Sequence, residues 1–109
     1  MNSPEAAKDV GLGGGVVIVT GGSRGIGRAI VERLAAAGMD VNFTYRGNAA
    51  AANEVIAANP GGKITAAAVD VRDSAACAVF VEQVADRAGR IDLLVNNAGV
   101  VRDNPLTAL

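Results

Sequence analysis

The hydrophobic positions of this chain alternate between two kinds of order. Val16 to Val19 form an unbroken β-branched run, the pattern of a strand covered on both faces. From Gly25 the spacing turns helical: Ile26, Ile30 and Leu34 fall at i, i+4 and i+8, while Arg28, Glu32 and Arg33 point away from that stripe. Gly38 is the C-cap candidate. Asp40 to Thr44 predicts a second strand with Val41 and Phe43 on one face, closed by Tyr45-Arg46-Gly47. Asn48 is placed to cap a helix running to about Asn59, with Val55 and Ile56 as its apolar positions, and Pro60-Gly61-Gly62 ends it. Lys63 to Val69 predicts a third strand, followed by Asp70-Val71. Asp73 or Ser74 caps a third helix whose stripe is Cys77, Phe80, Val81, Val84 and Ala88, stopped by Gly89. Ile91 to Val95 predicts a fourth strand, closed by Asn96-Asn97-Ala98-Gly99. Val100 to Leu109 reads as a loop with the start of a helix near Pro105. Strands alternating with helices predict an α/β fold, a doubly wound parallel sheet. Right-handed crossovers with the first strand central give the order 3-2-1-4.

Composition narrows this plan. The 109 residues suffice for one domain, and 50% are apolar, so a packed core is expected rather than disorder. Met1 to Gly15 is polar, then glycine-rich; it reads as a flexible leader, with 16–109 as the folded part. It has no apolar core segment of the signal-peptide kind. Ten basic and eleven acidic residues argue against a general attraction to nucleic acid or to an anionic membrane. No run of about 18 apolar residues exists to span a bilayer. A single cysteine, Cys77, excludes an intrachain disulfide, and its place on the apolar stripe makes it a core residue. The absence of histidine excludes histidine-based catalysis and most zinc sites. A cytoplasmic location is the default expectation.

The candidate chemistry begins between the first strand and the first helix. Gly21, Gly25 and Gly27 remove Cβ where the chain must turn and approach a ligand or its own sheet. A glycine loop that feeds a helix N-terminus is an anion site, because free N–H groups and the positive dipole end face one point. Ser23 adds a hydroxyl donor; with no histidine to activate it, it is a poor nucleophile.

The loop spells T-G-x-x-x-G-x-G over Thr20-Gly21-Gly22-Ser23-Arg24-Gly25-Ile26-Gly27. In this form, between a β-branched strand and an amphipathic helix, it resembles the short-chain dehydrogenase/reductase family. So does Gly89-Arg90-Ile91-Asp92-Leu93-Leu94-Val95 running into Asn96-Asn97-Ala98-Gly99. Val101-Arg102-Asp103-Asn104 is similar to the segment that follows in 3-oxoacyl- and acetoacetyl-thioester reductases. The resemblance covers Val16 to Leu109 and implies a Rossmann-type sheet, truncated after the fourth strand, with a dinucleotide along its loops. Backbone N–H groups from Ser23 to Ile26 would hold the pyrophosphate. The resemblance further implies that Asp70-Val71 contacts the adenine, that an Asn of N-N-A-G helps lock the sheet, and that Ala98-Gly99 lets the cofactor ribose pass. The candidate cofactor residues are therefore Gly21, Gly22, Ser23, Arg24, Gly25, Ile26, Gly27, Tyr45, Arg46, Asp70, Val71, Asn97, Ala98 and Gly99. A carboxylate just after the second strand binds ribose hydroxyls in dinucleotide folds, and an arginine accepts a 2′-phosphate instead. That place holds Tyr45-Arg46, and Arg24 lies in the glycine loop, so NADP is favoured over NAD.

The family's catalytic Tyr-x-x-x-Lys pair, with a Ser and a further Asn, lies after N-N-A-G. Here the one tyrosine, Tyr45, is followed four residues later by Ala49, and the lysines are Lys8 and Lys63. No catalytic residue and no metal ligand is assigned. The fourth strand is expected to be an apolar edge that invites pairing with another chain. Three readings stay open: the cofactor half of an NADP-dependent carbonyl (3-oxoacyl-type) reductase, inactive alone; a nucleotide-binding or interaction module that pairs with a chain carrying the missing half; or a non-functional fragment.

Overall fold

The computed structural model describes residues 14–23 and 25–97. The leader up to residue 13, Arg24, Ala98, Gly99 and the segment 100–109 lie outside the described residues. The elements are β1 (Val16–Thr20), α1 (Gly25–Ala36), β2 (Asp40–Tyr45), α2 (Ala49–Ala58), β3 (Lys63–Ala68), α3 (Ser74–Ala88) and β4 (Leu93–Asn96). They form one parallel sheet in the order β3-β2-β1-β4, the order that the alternation of strands and helices implies. β1 pairs with β2 and with β4, and β2 pairs with β3. Gly14 and Gly15, assigned by composition to the leader, join the ladder that enters the sheet. The Asp40 N–H donates to the Gly15 carbonyl at 2.8 Å and the Gly14 N–H to the Gly38 carbonyl at 3.2 Å.

The two faces of the sheet carry separate cores. Val17 and Val19 point to one side and pack with Val41, Phe43, Val31, Ala35, Ala52 and Val55, under α1 and α2. Val16 and Ile18 point to the other and pack with Phe80 and Val84 of α3. β2 is buried on both faces, so its polar positions Asn42 and Thr44 are buried too. Asn42 is satisfied there: its amide donates to the Val17 carbonyl at 3.3 Å, and its oxygen accepts from Arg87 on α3. Burial of Asn42 without those partners would cost about 1–3 kcal/mol.

Caps define the helix ends much as the sequence implies. The Asn48 side chain accepts from the Ala51 N–H at 2.9 Å and starts α2. Asp73, rather than Ser74, caps α3 by accepting from the Ala76 N–H at 3.0 Å. The end of α1 is a Schellman turn. The Met39 N–H reaches the Leu34 carbonyl, the Gly38 N–H reaches the Ala35 carbonyl, and Met39 is buried.

Three expectations about faces and boundaries are corrected. The buried line of α1 is Gly27, Val31 and Ala35, one residue on from the Ile26-Ile30-Leu34 stripe. Ile26 is 74% exposed, and Ile30 and Leu34 only flank the core. The reason is Gly27. It has no side chain and lets α1 lie directly on the loop backbone, which turns the helix about its axis by roughly one residue, or about 100°. On α3, Phe80 and Val84 are buried, Cys77 is half-buried and Val81 is exposed. The strand β4 starts at Leu93 rather than Ile91, because Asp92 turns its carboxylate onto the sheet and accepts from the Val16 N–H at 2.8 Å.

Candidate functional site

Parallel strands in register bring their C-terminal ends to one side of the sheet. Thr20 lies opposite Asn96, and Tyr45 lies opposite Ala68. The described residues that follow β1, β2, β3 and β4 therefore stand along one end of the sheet. β1 is the topological switch point: the chain leaves it toward β2 on one side and meets β4 on the other. A crevice outside the strand ends at such a point is where open α/β sheets bind ligands.

The glycine loop is held from three directions. From β2, Thr44 takes both glycine amides: the Gly21 N–H donates to its Oγ1 at 3.2 Å and the Gly22 N–H to its carbonyl at 3.0 Å. From α1, Gly27 presses on the Gly21 carbonyl, where a Cβ would stand 1.9 Å from that oxygen. From the end of β4, the Asn97 amide donates to the same carbonyl at 3.1 Å. Gly22 is equally confined, since a Cβ there would lie 2.7 Å from the Phe43 Cβ and 2.8 Å from the Val31 Cγ2.

The next residues are different. Ser23 is half-buried, and Gly25 and Ile26 are exposed. Gly25 has φ +63° and open space where a Cβ would project. The first N–H groups of α1 have no partner within the helix, and its first turn holds no acidic residue to neutralise the positive dipole end. Thus Gly21, Gly22, Gly27 and Asn97 shape the loop, while Gly25 and Ile26 at the exposed start of α1 offer N–H donors of the kind that meet an anion. This donor set fits the phosphates of a dinucleotide.

The second cluster joins the ends of β2 and β3. Tyr45 packs on the α1–α2 core, and its carbonyl accepts from the Val69 N–H at 3.0 Å, which sets Arg46 beside Asp70. The Arg46 Nε is 3.8 Å from the Asp70 Oδ2. Asp70 also receives Arg72, through its backbone N–H (2.9 Å) and Nε (3.1 Å) on Oδ1, and its Nη2 (2.9 Å) on Oδ2. The side-chain bonds from Arg72 hold the Asp70 carboxyl well below the usual range, with the Arg72 backbone N–H adding to them and Arg46 contributing least. Asp70 is therefore a carboxylate throughout the neutral range. Val71 follows in the turn, half-buried, and accepts at its carbonyl from the Cys77 thiol at 3.6 Å. The predicted residues thus form two groups, loop and strand-end, along one side of the sheet. Arg24, Ala98 and Gly99 fall outside the described residues.

Two residues of the site are not picked out by motif. Thr44 reads as an ordinary strand residue, and only strand pairing reveals that it holds the loop. Arg72 has a local signal: an Asp whose side chain takes the backbone N–H two residues on is an Asx turn. Among the described residues there is no group of three or more Cys, Asp or Glu placed to hold a metal ion.

Comparison with known proteins agrees with this architecture. The family model for short chain dehydrogenase matches residues 15–109. The chain is 43% identical over 97 residues to the 3-oxoacyl-[acyl-carrier-protein] reductase FabG of Vibrio harveyi, covering 87% of this chain and 38% of that protein. It is 42% identical over 95 residues to the corresponding reductase of Escherichia coli K12, covering 85% and 37%. Among solved structures, a short chain dehydrogenase from Burkholderia cenocepacia J2315 in complex with NADP superposes with TM-score 0.77 at 45% identity, over 90% of this chain and 41% of that one. A short-chain dehydrogenase/reductase from Serratia marcescens BCRC 10948 gives TM-score 0.77 at 49% identity, over 82% and 37%. The chain spans less than two fifths of the length of the two curated relatives.

Proposed function

The chain belongs to the short-chain dehydrogenase/reductase family, and from this premise we propose that it carries the adenosine half of an NADP site in a carbonyl reductase of 3-oxoacyl type. One observation carries the choice of cofactor. The end of β2 presents Arg46 where a ribose-binding carboxylate would stand, and the nearest carboxylate, Asp70, is already held by Arg72. A guanidinium can fork onto phosphate oxygens. The Vibrio harveyi relative bears a 3-oxoacyl reductase name and the Burkholderia structure contains NADP, which supports this reading.

In this reading the N–H groups of Ser23 to Ile26 bind the pyrophosphate, with the Ser23 hydroxyl beside them. Arg46, joined by Arg24, binds the 2′-phosphate. Asp70 accepts from the adenine amine, and the Val71 N–H meets the ring. Asn97 keeps the loop closed while Ala98 and Gly99 line the ribose. The cofactor, when bound, supplies hydride. This sequence holds no Tyr-x-x-x-Lys pair to protonate a carbonyl oxygen, so the chain alone binds cofactor and does not reduce substrate.

Titration of NADPH and NADH against the chain, with an Arg46→Ala variant alongside, tests this. NADPH should bind more tightly, and the preference should be lost in the variant. Equal binding of both cofactors, or a variant with the parent's preference, would overturn the NADP reading. NADPH oxidation above background with acetoacetyl-CoA would overturn the statement that the chain is inactive alone.

A second reading has its own support in β4. Its Leu94 is 61% exposed, and β4 has β1 as its one strand partner among the described residues. Such an edge pairs with another chain, either a second copy or one that carries the remaining elements of the family's fold.

A further inference from the structure

Arg72 has no task in the site as proposed, yet it holds Asp70 more closely than any other residue does. A carboxylate offers about four lone-pair sites. Arg72 fills two on Oδ1 and one on Oδ2. The fourth, on Oδ2, is faced by Arg46 from 3.8 Å, beyond hydrogen-bond reach. Both arginine side chains are about two-thirds exposed, at 66% for Arg46 and 68% for Arg72, so neither is walled in by packing.

The two arginines therefore compete for one carboxylate, and Arg72 has the advantage of sequence. It lies two residues from Asp70, in the same turn, and its backbone N–H is already engaged there. Arg46 must reach across from the neighbouring strand end. We propose that Arg72 is a specificity-determining residue of the 2′-phosphate site: it occupies Asp70, so that Arg46 stays available to the phosphate. This inference rests on the cofactor reading above. Without the Arg72 side chain, both Asp70 oxygens open to the Arg46 fork, and a bidentate arginine–carboxylate pair is among the stronger polar contacts a surface can form. The phosphate would then have to displace Asp70 before it could bind. With Arg72 in place, Arg46 gives up only a loose contact, and the fourth lone-pair site is left for the adenine amine.

The test uses adenosine 2′,5′-bisphosphate and adenosine 5′-phosphate, which differ only in the 2′-phosphate. The ratio of their Kd values, measured by calorimetry at fixed ionic strength, isolates that group, because any change at the adenine affects both. Arg72→Ala should lower the preference for the bisphosphate by about threefold, the scale of one exposed ion pair. In an Asp70→Asn background Arg46 has no carboxylate to be drawn to, so Arg72→Ala should leave the ratio unchanged. A similar loss in both backgrounds would mean that Arg72 acts on the phosphate directly, and would overturn the proposal. So would an unchanged ratio in Arg72→Ala while Arg46→Ala still loses the preference. If Arg46→Ala keeps the parent's ratio, or the chain binds neither nucleotide, the cofactor reading fails and this inference with it.

Discussion

At Gly27 a methyl group would stand 1.9 Å from the Gly21 carbonyl oxygen and 2.5 Å from the Asn97 amide nitrogen. Neither neighbour is a flexible chain end. The first is backbone and the second is bonded to that same backbone atom. Gly27→Ala should therefore push α1 away from the loop, at a cost of about 3 kcal/mol, the upper range for overpacking. Urea unfolding would read this as a lower midpoint. Gly61→Ala is the control: a Cβ there meets nothing within 4 Å, and its φ lies outside the left-handed region. It should change stability by less than about 0.5 kcal/mol. Equal effects at the two positions would refute the close approach of α1 to the loop.

The helix α1 shows how one residue resets an element. Its apolar positions allow two neighbouring faces, and their hydrophobicity favours the isoleucines. Contact at Gly27 decides for the other face. Val31 is fully buried beside Gly22 and Phe43, while Ile26 stands in solvent in the first turn of α1. Val31→Ala should cost about 2 kcal/mol. Ile26→Ser should cost less than about 0.5 kcal/mol, as a change at an exposed position outside the core. Thermal unfolding of the two variants would distinguish the faces, and a larger loss for Ile26→Ser would restore the isoleucine stripe as the core.

Over the whole molecule the two sheet faces are unequal. Among the described residues α1 and α2 cover one face from β1 to β3, whereas α3 alone lies on the other, and Val79, Val81, Leu93 and Leu94 are exposed. The register places Leu94 beside Ile18, on the α3 side, yet Ile18 is buried and Leu94 is not. An apolar strand with β1 as its one partner among the described residues is open to pairing with another chain. Light scattering should show a mass that rises with concentration for the parent chain. Leu94→Lys, which sets a charge on that strand, should bring it toward the monomer. A parent that stays monomeric at all concentrations would remove the case for pairing through β4.

The sequence by itself determined the kind and order of the elements, the sheet order, the glycine loop between β1 and α1, and the cap at Asn48, and it narrowed the α3 cap to Asp73 or Ser74. These follow from local causes: β-branching, helical spacing, side chains that bond backbone a few residues on, and the handedness of crossovers. The tertiary structure decided the rest. Which face of α1 is buried depends on contact between Gly27 and Gly21, and the hold on the loop comes from Thr44 on β2 and from Asn97 just after β4. Burial of Asn42 and Thr44 follows from a strand sandwiched between two helix layers, which an alternating pattern does not reveal. The competition of Arg46 and Arg72 for Asp70 exists only because β2 and β3 end side by side. Each of these links residues far apart in the chain, and periodicity carries no information about which distant backbone will lie against a given side chain.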